Sequence, residues 1–210
     1  DISNFFSNIW PISFFSFEDL RLFFSLVLIA ISCIIMGAGI PTTATYIILV
    51  AVAAPALAQL GIEPLVAHFF VFYYGVLADI TPPVALAAYA ASGIAKSNPF
   101  KTGNTAFRLG IAKALVPFVF VYSPSILLIT GEFQTNELIL TLTGTLIGIA
   151  LIGIAFSGYW FRPLKKYEQF VIGSGSLFFV APGISSMIIG LLIILPMFFL
   201  QFYKRLTPRP

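Results

Sequence analysis

Two short segments gather the residue types that could do chemistry in an otherwise apolar chain. They are Gly37-Ala38-Gly39-Ile40-Pro41-Thr42-Thr43 and Asp79-Ile80-Thr81-Pro82-Pro83. Pro82 and Pro83 lack N–H groups and clash with the preceding turn, so carbonyls around Leu77 to Asp79 are expected to lose their helical partners. Carbonyls at the end of a half-helix, with the hydroxyls of Thr42, Thr43 or Thr81, are hard oxygen ligands that suit Na⁺. Half-helix N-termini present N–H groups and a positive dipole end to a carboxylate. The candidate ion and solute residues are therefore Gly37, Gly39, Pro41, Thr42, Thr43, Asp79, Ile80, Thr81, Pro82 and Pro83. Gly37, Thr42, Thr43, Asp79 and Thr81 are the candidates for holding Na⁺ itself.

Each of these has a plainer role beside the chemical one. Asp79 is the one acid well within an apolar stretch, a position that is costly and functional by default. It could instead cap the helix break, or pair with a subunit outside this chain. As a titratable group it could also carry a proton. Thr42 and Thr43 could cap the following helix. His68 is the single histidine, is accompanied by no ligand cluster, and reads as a packed or water-facing helix residue. Tyr73, Tyr74 and Tyr89 read as packing groups. Cys33 is the single cysteine and sits in an apolar run, which leaves it a small hydrophobe rather than a disulfide or metal-cage partner. A hydrolase would need a nucleophile with its base, or paired carboxylates. Neither pattern is present, and no nucleotide-binding glycine motif is found, so an enzyme and an ATP-driven pump are both disfavoured and no cofactor is expected.

The elements that must position these segments belong to a membrane. Of 210 residues, 59% are hydrophobic and only 9% charged, against about a quarter charged in soluble domains. A span needs about 20 apolar residues, so the length allows roughly five or six membrane-embedded segments. Residues 1–19, with Trp10-Pro11, read as an interfacial lead-in. Leu20 to Met36 and Ala44 to Leu60 are apolar arms joined by the uncharged Gly37–Thr43 segment. That pattern predicts a re-entrant hairpin (20–60) with its tip inside the membrane, since irregular backbone at that depth must line a cavity or be covered by protein. Leu65 to Ala78 and Val84 to Ala95 are each too short to cross, and together they predict one broken helix (65–95).

Lys96 to Thr105 reads as a polar loop, and Ala106 to Thr130 as a long helix bent at Pro117 and Pro124. Gly131 to Glu137 reads as an acidic loop. Residues 131–210 then hold the C-terminal segments. Leu138 to Phe156 is a span with Gly144, Gly148 and Gly153 suited to close packing. A linker with Tyr159, Trp160, Arg162, Lys165 and Lys166 follows, then a short Phe170–Val180 segment, a break at Ala181-Pro182-Gly183, and a last span from Ile184 to Tyr203. The small net charge of +3, grouped at Lys96–Lys113 and Arg162–Lys166, reads as topology and not as nucleic-acid binding. Both basic groups are expected in the cytoplasm and the acidic loop outside. One span after Lys166 would then put Lys204, Arg205 and Arg209 outside, against that trend. The chain starts at Asp1 with no visible signal peptide and reads as a fragment or one product of a larger polypeptide.

Gly37 to Ala44, His68-Phe69-Phe70-Val71-Phe72-Tyr73-Tyr74 and Asp79 to Ala90 together resemble the large membrane subunit of tripartite ATP-independent periplasmic transporters. The likeness is greatest to the fused-permease branch served by TAXI-type binding proteins. Phe107-Arg108-Leu109-Gly110 and Val116 to Pro124 fit as well, so the resemblance runs from about Leu20 to Leu128. It implies an all-α, polytopic, elevator-type secondary transporter of two inverted repeats in a bacterial inner membrane. Each repeat supplies one hairpin and one broken helix, and this chain corresponds to the C-terminal repeat. It further implies Na⁺-coupled import of an organic acid delivered by a periplasmic binding protein. The implied partners are the first-repeat half and a small Q-type membrane subunit. Asp79 departs from the small or neutral residue expected before Ile-Thr-Pro-Pro, which leaves proton coupling through Asp79 open beside Na⁺. A membrane scaffold that transports nothing is the other rival.

Overall fold

The computed structural model of the protein describes residues 17–128 and 134–206. Most of the expected lead-in, the first part of the acidic loop and Arg209 lie outside the described residues. Helix α1 spans Phe17–Gly37, with Glu18 and Asp19 in its first turn, where acids complement the helix dipole. A turn with Gly39 at φ 85° leads into α2, Thr42–Gln59. α3, Pro64–Ala78, opens with Pro64 in its first turn, where a missing N–H costs nothing. The three helices share one core. Leu26, Ala30 and Cys33 of α1 meet Leu49 and Leu57 of α2 against Val66, Phe70 and Tyr74 of α3.

Beyond the Asp79–Ala85 break, α4 runs over Leu86–Ile94. The expected loop at Lys96–Thr105 is largely helical instead. Asn98 accepts a hydrogen bond from the Lys101 N–H (3.0 Å) and caps α5, Pro99–Gly110. Asn-Pro here is an N-cap followed by a first-turn proline, and the polar residues after it form one amphipathic helix. The long helix expected over 106–130 is also divided. α5 ends at Gly110, a 3₁₀ turn covers Ile111–Leu115, α6 spans Val116–Tyr122, and a second 3₁₀ turn covers Pro124–Leu127. Pro117 and Pro124 within that stretch remove N–H groups a continuous α-helix would need.

The C-terminal part is a three-helix unit of α7 (Thr135–Ser157), α8 (Lys166–Val180) and α9 (Ile184–Leu206). Glycines set its spacing. A Cβ on Gly144 would lie 2.6 Å from the Phe179 carbonyl oxygen, and one on Gly148 would lie 2.6 Å from Val180 Cγ2. Gly190 of α9 approaches Phe179 as closely, so α8 is clasped on two sides. Gly153, expected to pack likewise, has open space beside it.

Among the described residues, five stretches are long and apolar enough to cross a membrane: 18–37, 42–59, 99–122, 135–157 and 184–203. By length and composition they describe a multi-pass membrane protein. The conflict over the C-terminal charges disappears in the structure. Gln201 of α9 donates to Glu168 in the first turn of α8 (2.9 Å), so α8 and α9 form an antiparallel pair. Helix α8 also starts four residues earlier than expected, at Lys166. Lys204 and Arg205 thus return to the end of the bundle that holds Arg162 to Lys166. Arg108 of α5 donates to the Phe156 carbonyl at that same end of α7 (3.1 Å), while Ser125 donates to Glu137 near the other (2.8 Å).

Candidate functional site

The hairpin tip and the broken helix meet. Gly37 is buried, and a Cβ placed on it would come within 2.9 Å of both Ala78 Cβ and Thr45 Cγ2. Two residues on, Gly39 faces Val84: a Cβ added to it would lie 3.4 Å from Val84 Cγ1. The tip therefore lies along the break from its first residue side to its last. Gly75 of α3 receives the Thr45 methyl in the same way, so only small groups separate the two backbones here.

The break is better satisfied than proline chemistry alone predicts. Leu77 O accepts from the Ile80 N–H (3.2 Å) and from the Thr81 hydroxyl (2.8 Å). Ala78 O accepts from the Thr81 N–H (3.1 Å), and Asp79 O from the Ala87 N–H across the break (3.1 Å). The carbonyls expected to be orphaned have thus found replacement donors, because the chain tightens to i→i+3 bonds before the prolines and recloses after them. Leu77 O is thereby filled by two donors, whereas the Ala78 and Asp79 carbonyls each keep a second lone pair for another partner. Ala85, fully buried at φ 39°, makes the left-handed turn that starts α4, and its N–H donates to Thr81 O (3.1 Å).

The expected site residues divide in two. Gly37, Gly39 and the 79–83 segment are brought together. Ile80 is turned elsewhere: its Cδ1 fills the space beside Gly110 where a Cβ would stand. Thr81 spends its hydroxyl proton on Leu77, and Pro83 offers its carbonyl to the Tyr89 hydroxyl (2.7 Å). Pro41 occupies the N-cap of α2, which makes no side-chain cap bond, so capping by Thr42 or Thr43 is not what starts this helix. Thr42 is half-buried and Thr43 exposed. Asp79 is half-buried as the C-cap of α3.

The chain matches the family described as tripartite ATP-independent periplasmic transporter, DctM component, over residues 15–135. It belongs to that family. The match covers more than half of the 210 residues and contains both the hairpin tip and the break. No curated protein and no solved structure matches the chain. The family is a transporter component, one part of a three-part system that runs without ATP.

Sequence reading missed the hydroxyl that organises the DctM-family tip. Thr45, 1% exposed, donates to the Ile40 carbonyl (3.1 Å), and its N–H donates to the Pro41 carbonyl (2.9 Å). It was legible as the third hydroxyl of Thr42-Thr43-Ala44-Thr45, on the face that Leu49 and Ala53 bury. Two other groups were assigned only to packing. Tyr74 is buried and donates to the Ala114 carbonyl, tying α3 to the 3₁₀ turn beyond α5. His68 shares a hydrogen bond with Tyr46 through Nδ1 (2.8 Å), joining α2 to α3. A third omission lies beyond the matched segment. Glu168, 1% exposed, binds Arg162 (2.8 Å), the Lys165 N–H (2.8 Å) and Gln201. Among the described residues no group of three or more His, Cys, Asp or Glu side chains converges.

Proposed function

We propose that this chain is the C-terminal repeat of the large membrane component, of the fused-permease type, and that it serves Na⁺-coupled uptake of an organic acid across a bacterial inner membrane. The observation that carries the proposal is the close approach of Gly37 to Ala78 and of Gly39 to Val84. It places a helix-ending tip and a helix break side by side, the combination from which midplane transport sites are built. On this reading α1 and α2 form a re-entrant hairpin. Their tip stops at the level of Ala78, while the chain goes on through the nine residues of α4 before its basic turn. Na⁺, a co-transported substrate, would be held by carbonyls of the tip and the break with help from Thr42, Thr43 or Asp79. The carboxylate solute would sit on N–H groups at the start of α2 or α4.

The remaining parts of the machine follow from the family. A first-repeat half would complete the site, a small membrane subunit would brace it, and a periplasmic binding protein would deliver the solute. The moving body in an elevator motion would be α1 to α4 with the start of α5. Solute uptake by the complete complex in proteoliposomes, with Na⁺ and proton gradients imposed separately, tests the proposal. Uptake on a Na⁺ gradient alone is the expected result. Uptake on protons alone would move coupling to Asp79. With a folded complex and several carboxylates tried, no uptake under either gradient would reduce the chain to a scaffold.

A further inference from the structure

We infer that the basic end of the α7–α9 bundle is a docking surface for an anionic phospholipid. Trp160 and Phe161 stack on one another with centroids 5.6 Å apart, and Phe198 of α9 lies edge-on to both at 5.6 Å. Phe202, one turn further along α9, stacks parallel to Phe198 at 6.2 Å. Trp160 is the residue type that settles at headgroup depth, and the three phenylalanines grouped with it offer apolar faces to acyl chains. Lys165 and Lys166 are exposed beside them. The acid nearest them in sequence cannot neutralise them, because Glu168 is buried and its charge is spent on Arg162 at 2.8 Å. The Gln201–Glu168 bond then brings the last turn of α9, which carries Lys204 and Arg205, back to the same end. Four cationic positions and an aromatic platform thus share one end of the bundle, while the acid among them is internally satisfied. That charge balance selects an anionic headgroup over a zwitterionic one. The surface lies outside the tip and the break, and does not depend on how transport is coupled.

The test uses the complete complex in neutral detergent. Native mass spectrometry follows retention of phosphatidylglycerol against phosphatidylcholine of the same chain length. The complex carrying K165Q/K166Q is compared with wild type and with K96Q/K101Q, which removes two exposed lysines at the α4–α5 turn. Phosphatidylglycerol is expected to bind preferentially and to weaken by roughly thirtyfold in K165Q/K166Q, at about 1 kcal/mol per basic residue. K96Q/K101Q is expected to bind it as wild type does. Equal loss in both variants would mean diffuse attraction and overturn the proposal. So would no preference for phosphatidylglycerol in wild type, the result expected if a partner subunit covers this face.

Discussion

Gly37 backs directly onto Ala78: a Cβ on the glycine would lie 2.9 Å from the alanine Cβ. Real Cβ atoms do not approach that closely, and neither atom is the end of a flexible chain, so the two residues form a fitted pair. Gly37→Ala should therefore push the hairpin tip off the break. Overpacking of this size costs roughly 1–3 kcal/mol, and uptake should fall more steeply than stability because the site itself is displaced. Ala78→Gly in the same complex should recover part of both. Thermal melting and uptake of the four complexes of a double-mutant cycle would measure the coupling.

Thr45 supplies the tip with its one buried hydroxyl bond. Thr45→Val keeps the shape and leaves the Ile40 carbonyl without that donor, a loss of about 1–3 kcal/mol. Thr43→Val changes an exposed group and should stay within about 0.5 kcal/mol. If the two variants melt alike, Thr45 does not organise the tip as described.

Asp79 separates the two couplings. With Na⁺ as the driving ion, Asp79→Asn should retain measurable uptake in saturating Na⁺, because an amide oxygen can still ligate. With a proton as the driving ion, the same variant should be inactive at any Na⁺ concentration. Uptake rates of the variant across a Na⁺ series distinguish these outcomes.

Glu168 binds a guanidinium, a backbone N–H and an amide while nearly inaccessible to water. Removing its charge leaves Arg162 short of its partner. Since Arg162 is itself 26% exposed, the cost of Glu168→Gln should be nearer about 2 kcal/mol than the larger figure for a fully buried pair. The expected sign is faster amide exchange in the first turn of α8 and the last turns of α9, with the α1–α3 core unchanged.

What could be read without coordinates follows from where proline, glycine and charge interrupt apolar runs. The tip at Gly37–Thr43, the break at Asp79–Pro83 and the stop at Ala181–Gly183 are all where those residues place them. The α1–α2 arms also end within a residue or so of their expected limits. Two kinds of feature escaped. Asn98-Pro99 reads equally well as a loop or as a cap with a first-turn proline, and only the helix behind it decides. The replacement donors for Leu77, Ala78 and Asp79, and the return of Gln201 to Glu168, depend on residues that meet through folding. In the last case they are 33 positions apart. No local pattern carries that information, which is why the terminal charges looked misplaced until α8 and α9 were seen to pair.

The most direct measurement is ligand protection at the tip and the break. Single cysteines at Thr43 and Pro83, both exposed, would be placed in the complete complex with Cys33 replaced, and labelled with a membrane-impermeant thiol reagent. A third cysteine at Asn104, exposed on α5, serves as control. If the tip and the break enclose the ion and solute, Na⁺ with solute should slow labelling at Thr43→Cys and Pro83→Cys several-fold relative to choline, and leave Asn104→Cys unchanged. Equal labelling in Na⁺ and choline at both site positions, in a complex that still takes up solute, would contradict the assignment of transport chemistry to these two segments.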